Sequence, residues 1–139
     1  MKEAYDALAK NPANYVPLTP ISFLQRTADI YGGREAIIYG DRSYTWYQCN
    51  ERCLRMASSL TKLGVGKGDT VAVLAFNTPE MFEAHLFVPM TGAVLNTINT
   101  RLDADTLAYM LDFGEVKAMV VDRELLPLTE SALQKAKSN

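Results

Sequence analysis

Apolar and polar positions along this chain follow two periods, and the places where the period changes mark its elements. Trp46, Cys49, Cys53, Met56, Leu60 and Leu63 step by three or four residues and draw one apolar stripe along a helix. Thr45-Trp46-Tyr47-Gln48 opens that helix as a capping box. The threonine hydroxyl takes a free backbone N–H, and the glutamine reaches back to the cap residue's own N–H. Gly64 ends it by supplying the left-handed backbone that helix C-termini favour. Upstream, Ala36–Tyr39 and Ser43–Thr45 flank Tyr39-Gly40-Asp41-Arg42, a primed-turn signal that predicts a two-stranded hairpin.

From Thr70 the pattern changes. Val71-Ala72-Val73-Leu74-Ala75 is apolar at consecutive positions, so both faces of this strand are covered, as in a parallel sheet with helices on each side. Asn77, Thr78, Pro79 and Glu80 give the polar cap, first-turn proline and acid that start a second helix, continued by Met81–Thr91. Pro89 cannot donate to the carbonyl of residue 85, which predicts a kink or an end near His85. Ala93–Ile98 reads as a strand, Asp103 or Asp105 caps a helix through Phe113, and Gly114 closes it before a strand at Ala118–Val121. Glu124–Lys137 reads as helical. The alternation predicts an α/β fold: a mainly parallel sheet with helices on both faces, right-handed crossovers, and an N-terminal β-hairpin. Asn11–Pro20, with Pro12, Pro17 and Pro20, is expected to run extended. Residues 1–20 are thus a lead-in, and 21–139 one continuous fold.

Composition narrows the function classes. With 139 residues, 48% of them hydrophobic, the chain has material for about one packed domain. A net charge of -2 gives no electrostatic reason to bind nucleic acid or an anionic membrane. Lys2, Glu3, Asp6 and Lys10 break any signal-peptide core, so the mature protein is expected to start here. The longest apolar stretch, Ala84–Leu95, is too short and too interrupted to span a bilayer, which predicts a soluble protein. Cys49 and Cys53 read as free thiols. His85 is the single histidine, which excludes a multi-histidine metal site. Gly64–Thr70 looks like a phosphate loop but leaves a helix and enters a strand, the reverse of the order that aims N–H groups at a phosphate. Met56, Met81, Met90, Met110 and Met119 read as core, and Asp103 and Asp105 as cap residues rather than a metal pair.

Three blocks carry a resemblance. Asn14-Tyr15-Val16-Pro17-Leu18-Thr19-Pro20 with Phe23-Leu24 is similar to the opening of bacterial and plant ligases of short, medium and aromatic acids. Tyr44-Thr45-Trp46-Tyr47-Gln48-Cys49 resembles the first core motif of the adenylate-forming (AMP-binding) superfamily. Val88–Asn96 with Ile98-Asn99-Thr100-Arg101-Leu102 resembles the second core motif as found in the acyl-CoA synthetase branch, and is the most specific of the three. The resemblance implies the N-terminal, incomplete part of an acid–CoA ligase that uses ATP, Mg2+ and coenzyme A: a carboxylate attacks the α-phosphate of ATP, and CoA then displaces AMP. The Pro-Lys-Gly loop, the Tyr-Gly-Thr-Glu context, the Thr-Gly-Asp and the C-terminal lysine of such enzymes are not in this sequence, so no catalytic residue is expected here. Thr129-Glu130 reads as a chance likeness.

What the resemblance implies for these residues is a wall of the substrate or CoA channel, with His85, Met90, Asn99 and Arg101 as candidates. Arg101 is weighed between a CoA phosphate and an ion pair with Asp103, the pair being preferred; His85 reads as a hydrogen-bonded helix residue rather than a catalytic one. The expected partners are a small carboxylic acid, ATP and CoA, with a homodimer possible and no nucleic acid or membrane span. The expected compartment is the cytoplasm, or the peroxisome for a plant parent. The readings set against it are a non-catalytic interaction module and an adenylation domain feeding a carrier protein. Cut at Asn139, the sheet is expected to leave an unpaired edge and apolar helix faces that promote aggregation.

Overall fold

The structure is a computed structural model that describes residues 11 and 15–137. Most of the expected lead-in lies outside the described residues, Pro12 and Asn14 among it. Tyr15–Thr19 form neither helix nor strand, but Pro20 is not extended lead-in: it is the first residue of helix α1, Pro20–Tyr31. This helix is absent from the sequence reading, yet it carries its own signal. Thr19 accepts from the Ser22 N–H and Ser22 Oγ accepts from the Thr19 N–H, a reciprocal box with proline at the first helical position.

Strands β1 (Glu35–Tyr39) and β2 (Arg42–Thr45) form the expected antiparallel hairpin. Gly40 sits at φ +56, as in the primed turn that takes glycine at its first central position. Helix α2 (Trp46–Lys62) starts at the Thr45–Gln48 capping box and is followed by Gly64 at φ +85. Its buried stripe is Cys49, Cys53, Ala57 and Leu60, so Leu63, 74% exposed, does not continue it.

Strand β3 (Thr70–Leu74) pairs in parallel with β4 (Val94–Thr97) on one side and β5 (Val116–Val121) on the other. Because its side chains alternate, β3 feeds two cores. Val71 and Val73 pack with Leu24 of α1, Cys49 and Cys53 of α2, and Ala84, Phe87 and Val88 of α3 (Pro79–Met90). Ala72 and Leu74 pack on the opposite face with Leu107, Ala108 and Leu111 of α4 (Ala104–Phe113) and Ala132 of α5 (Leu126–Leu133). A short 3-10 turn, Arg123–Leu125, precedes α5, so the expected helix over Glu124–Lys137 is shorter than its polar and apolar pattern suggests.

Two helix ends also differ from expectation. Of the kink or end expected near His85, the end does not occur: helix α3 runs through Pro89 to Met90, within the Met81–Thr91 stretch that the sequence assigned to it. Pro89 lies in the last turn, where its missing N–H deprives only the His85 carbonyl, and the Thr91 N–H bonds back to Val88 and Pro89. At the end of α4, Gly114 has an ordinary right-handed φ of -80, and the left-handed residue is Glu115 at φ 47.

Candidate functional site

Helix α3 leaves the carboxyl end of β3 toward one face of the sheet, and α4 leaves that of β4 toward the other. The loops that precede them therefore diverge, and open parallel sheets bind ligands in the crevice this creates. Here it is a groove of about 470 Å³, lined by Phe76 and Asn77 after β3, Met81 and His85 of α3, and Thr97, Asn99 and Thr100 at the end of β4.

His85 is exposed, and its Nδ1 bonds the Met81 carbonyl at 2.9 Å. A carbonyl only accepts, so Nδ1 carries a proton in this contact. Asn99 closes a local turn in which Oδ1 accepts the Arg101 N–H at 2.9 Å. That contact fixes the amide orientation and leaves Nδ2 as the donor for anything else. The groove thus brings together two of the four expected residues. Met90 is not one of them: it is half-buried against the core under α1–α3. Arg101 is exposed beside Asn99 and does not line the groove. Its expected partner Asp103 instead caps α4, accepting the Thr106 N–H at 2.8 Å, and this bond holds the carboxyl below the usual carboxylate range. Among the described residues Arg101 has no ion-pair partner.

The cluster that sequence reasoning missed lies one helix face away. Glu83 is 2% exposed, and both its oxygens accept from Arg52 of α2, at 2.5 and 2.9 Å. The Tyr44 ring lies 4.4 Å below the guanidinium, and Glu80 links Arg52 to Arg42 of the hairpin. The hydrogen bonds to Glu83 raise the Arg52 pKa further. A charged residue inside the apolar run of α3 was the available signal; its partner, 31 positions away, was not. Beneath it, Cys53 donates to the Glu83 carbonyl, and its contact with Cys49, then burial, push its thiol pKa up. Both cysteines are free and fully buried.

The remaining features do not form a second centre. A larger groove of about 600 Å³ along β5 is lined mainly by apolar side chains such as Leu111, Met119 and Leu133. Thr129, the apparent relative of a nucleotide-site threonine, is buried in α5 with its hydroxyl on the Leu125 carbonyl. The Gly64–Thr70 loop opens no helix. Among the described residues no three His, Cys, Asp or Glu side chains converge as metal ligands.

Comparison with known proteins gives these features a context. The AMP-binding enzyme family matches over residues 24–139. The chain is 50% identical over 129 residues to a peroxisomal butyrate–CoA ligase of Arabidopsis thaliana and, over the same length, to a peroxisomal trans-cinnamate:CoA ligase of Petunia hybrida. Both alignments cover 93% of this chain and 23% of the relative, so the chain spans about a quarter of their length. A benzoate CoA ligase from Burkholderia xenovorans superimposes with a TM-score of 0.79 at 28% identity, over 84% of this chain and 24% of that one. Among the described residues no helix is long and apolar enough to cross a membrane.

Proposed function

We propose, from the premise that this chain belongs to the AMP-binding enzyme family, that the whole protein is an ATP-dependent acid–CoA ligase. The observation that carries the reading is half-identity, across 93% of the chain, to two ligases that both make CoA thioesters from acids as different as butyrate and cinnamate. In this reading a carboxylate attacks the α-phosphate of ATP to give an acyl adenylate and diphosphate, and the CoA thiol displaces AMP. A free carboxylate resists thiol attack; the adenylate supplies the leaving group that makes it accessible.

The described residues contribute position rather than chemistry. The β3–β4 groove, with His85 and Asn99, forms part of the wall along which the acid or CoA passes, while Arg101, exposed and without an ion-pair partner among the described residues, meets a phosphate of CoA. Met90 belongs to the support of α3. Magnesium and ATP are held elsewhere in the whole protein. On this reading the acid is of the short-chain or aromatic class named in its relatives, and the whole protein serves fatty or aromatic acid metabolism. Those two relatives are peroxisomal by name, and we assign the same compartment, checked by imaging the full-length protein with both native termini free. The activity is tested by exchange of labelled diphosphate into ATP: the full-length protein exchanges label only when a carboxylic acid is added, and exchange that ignores the acid contradicts the reading.

A further inference from the structure

Two threonines of this chain are followed by proline, Thr19 by Pro20 and Thr78 by Pro79. In both pairs the proline opens a helix and holds the threonine extended, Thr19 at φ -126, ψ 156 and Thr78 at φ -109, ψ 169. The fold then separates them. Pro79 is fully buried, whereas Pro20 is exposed and so is the run before it, with Val16 73% and Leu18 83% exposed. Pro17 stands two residues before Thr19 and stiffens that run toward an extended form. The Thr19 side chain makes a local contact with Ser22, in which each residue's Oγ accepts the other's backbone N–H. Opening it frees Pro17-Leu18-Thr19-Pro20 without disturbing either core, since the first buried residue of α1 is Leu24.

We infer that Thr19 is a phosphorylation site of a proline-directed protein kinase, and that Thr78 is not. A kinase cleft grips its substrate in extended form. Where the cleft offers no acceptor to the residue after the threonine, an ordinary N–H is left unsatisfied, and proline, which has none, is preferred. Thr19 Oγ attacks the γ-phosphorus of Mg·ATP, the bond from that phosphorus to the β,γ-bridging oxygen breaks, ADP leaves, and the hydroxyl proton passes to the kinase's catalytic carboxylate. The new phosphate sits at the N-cap of α1, whose first turn carries no acidic side chain, so it meets unbonded N–H groups and no like charge from that turn. The helix is kept. The inference rests on this exposed segment and not on the ligase reading.

The test incubates the full-length protein with Mg·ATP and a purified mitogen-activated protein kinase, which requires proline after its acceptor, and maps phosphopeptides by mass spectrometry. Thr19 takes phosphate and Thr78 does not. Thr19→Ala and Pro20→Ala lose the phosphate, Thr78→Ala keeps it, and Thr19→Ser, which preserves both cap and acceptor, keeps it too. The phosphorylated protein melts at the same temperature as the unmodified one or higher. No phosphate on Thr19, phosphate on Thr78, or phosphorylation that survives Pro20→Ala overturns the inference, as does a melting temperature lowered by phosphorylation. None of these readouts needs turnover, so absence of acid-dependent diphosphate exchange would remove the ligase reading and leave them standing.

Discussion

At Gly114 the reason for glycine is space rather than backbone freedom. A Cβ there would lie 3.0 Å from the Met110 carbonyl oxygen and 3.1 Å from Asn96 Nδ2, while the left-handed conformation falls on Glu115 at φ 47. Glu115→Gly is therefore expected to stabilise by about 1 kcal/mol and Gly114→Ala to destabilise by about 1–2 kcal/mol, both read from urea midpoints. The sequence pointed to Gly114 as the close of α4 but to the wrong cause, because a close approach between α4 and β4 has no local signature. The Glu83–Arg52 pair behaves similarly. Removing one partner strands a buried charge, so Glu83→Ala should cost about 2–4 kcal/mol, moderated because the Arg52 side chain is 31% exposed. Arg52→Met with Glu83→Leu should recover most of that loss; a double variant as unstable as Glu83→Ala would contradict this account.

Elements whose signals are local were legible. The Thr45–Gln48 box, the Gly40 turn and the Asp103 cap all use contacts within about one turn of chain. Thr45→Ala should cost about 1 kcal/mol in the melt of the chain, as the loss of a helix cap does elsewhere. Helix α1 went unread because three prolines drew attention to extension, although Thr19-Pro20 is also a helix start. An end near His85, the alternative to a kink there, does not occur because Pro89 affects the residue four before it only through one carbonyl, which the last turn tolerates. In the groove, the motif block pointed to Asn99 and Arg101 together. The structure puts Asn99 on the lining of the groove and leaves Arg101 off it.

For the molecule as a whole, five consecutive apolar residues announced a strand covered on both faces, and the two cores on either side of β3 follow from them. The strand order β4-β3-β5 was not legible, since periodicity reports coverage and not neighbours. That order is held partly by Lys117 of β5, which donates to Asp69 at 2.8 Å and to the Gly64 carbonyl at 2.7 Å. The Lys117 bond, then the Gly66 N–H, hold the Asp69 carboxyl below its ordinary value. A depressed carboxylate stabilises the fold at pH above its unfolded value, near 4, and that contribution fades as pH falls through the lower folded value. The wild-type melting temperature should therefore fall more steeply than that of Asp69→Asn below about pH 4; parallel curves would show that the contact carries no linkage.

An acid–CoA ligase of this family is defined by which phosphate of ATP is attacked. Incubating the full-length protein with ATP, Mg2+, CoA and butyrate or cinnamate, and following products by mass spectrometry, tests it most directly. Attack at the α-phosphate gives one AMP for each acyl-CoA formed, with diphosphate as co-product and no thioester when CoA is omitted. ADP and inorganic phosphate accompanying the thioester would contradict it.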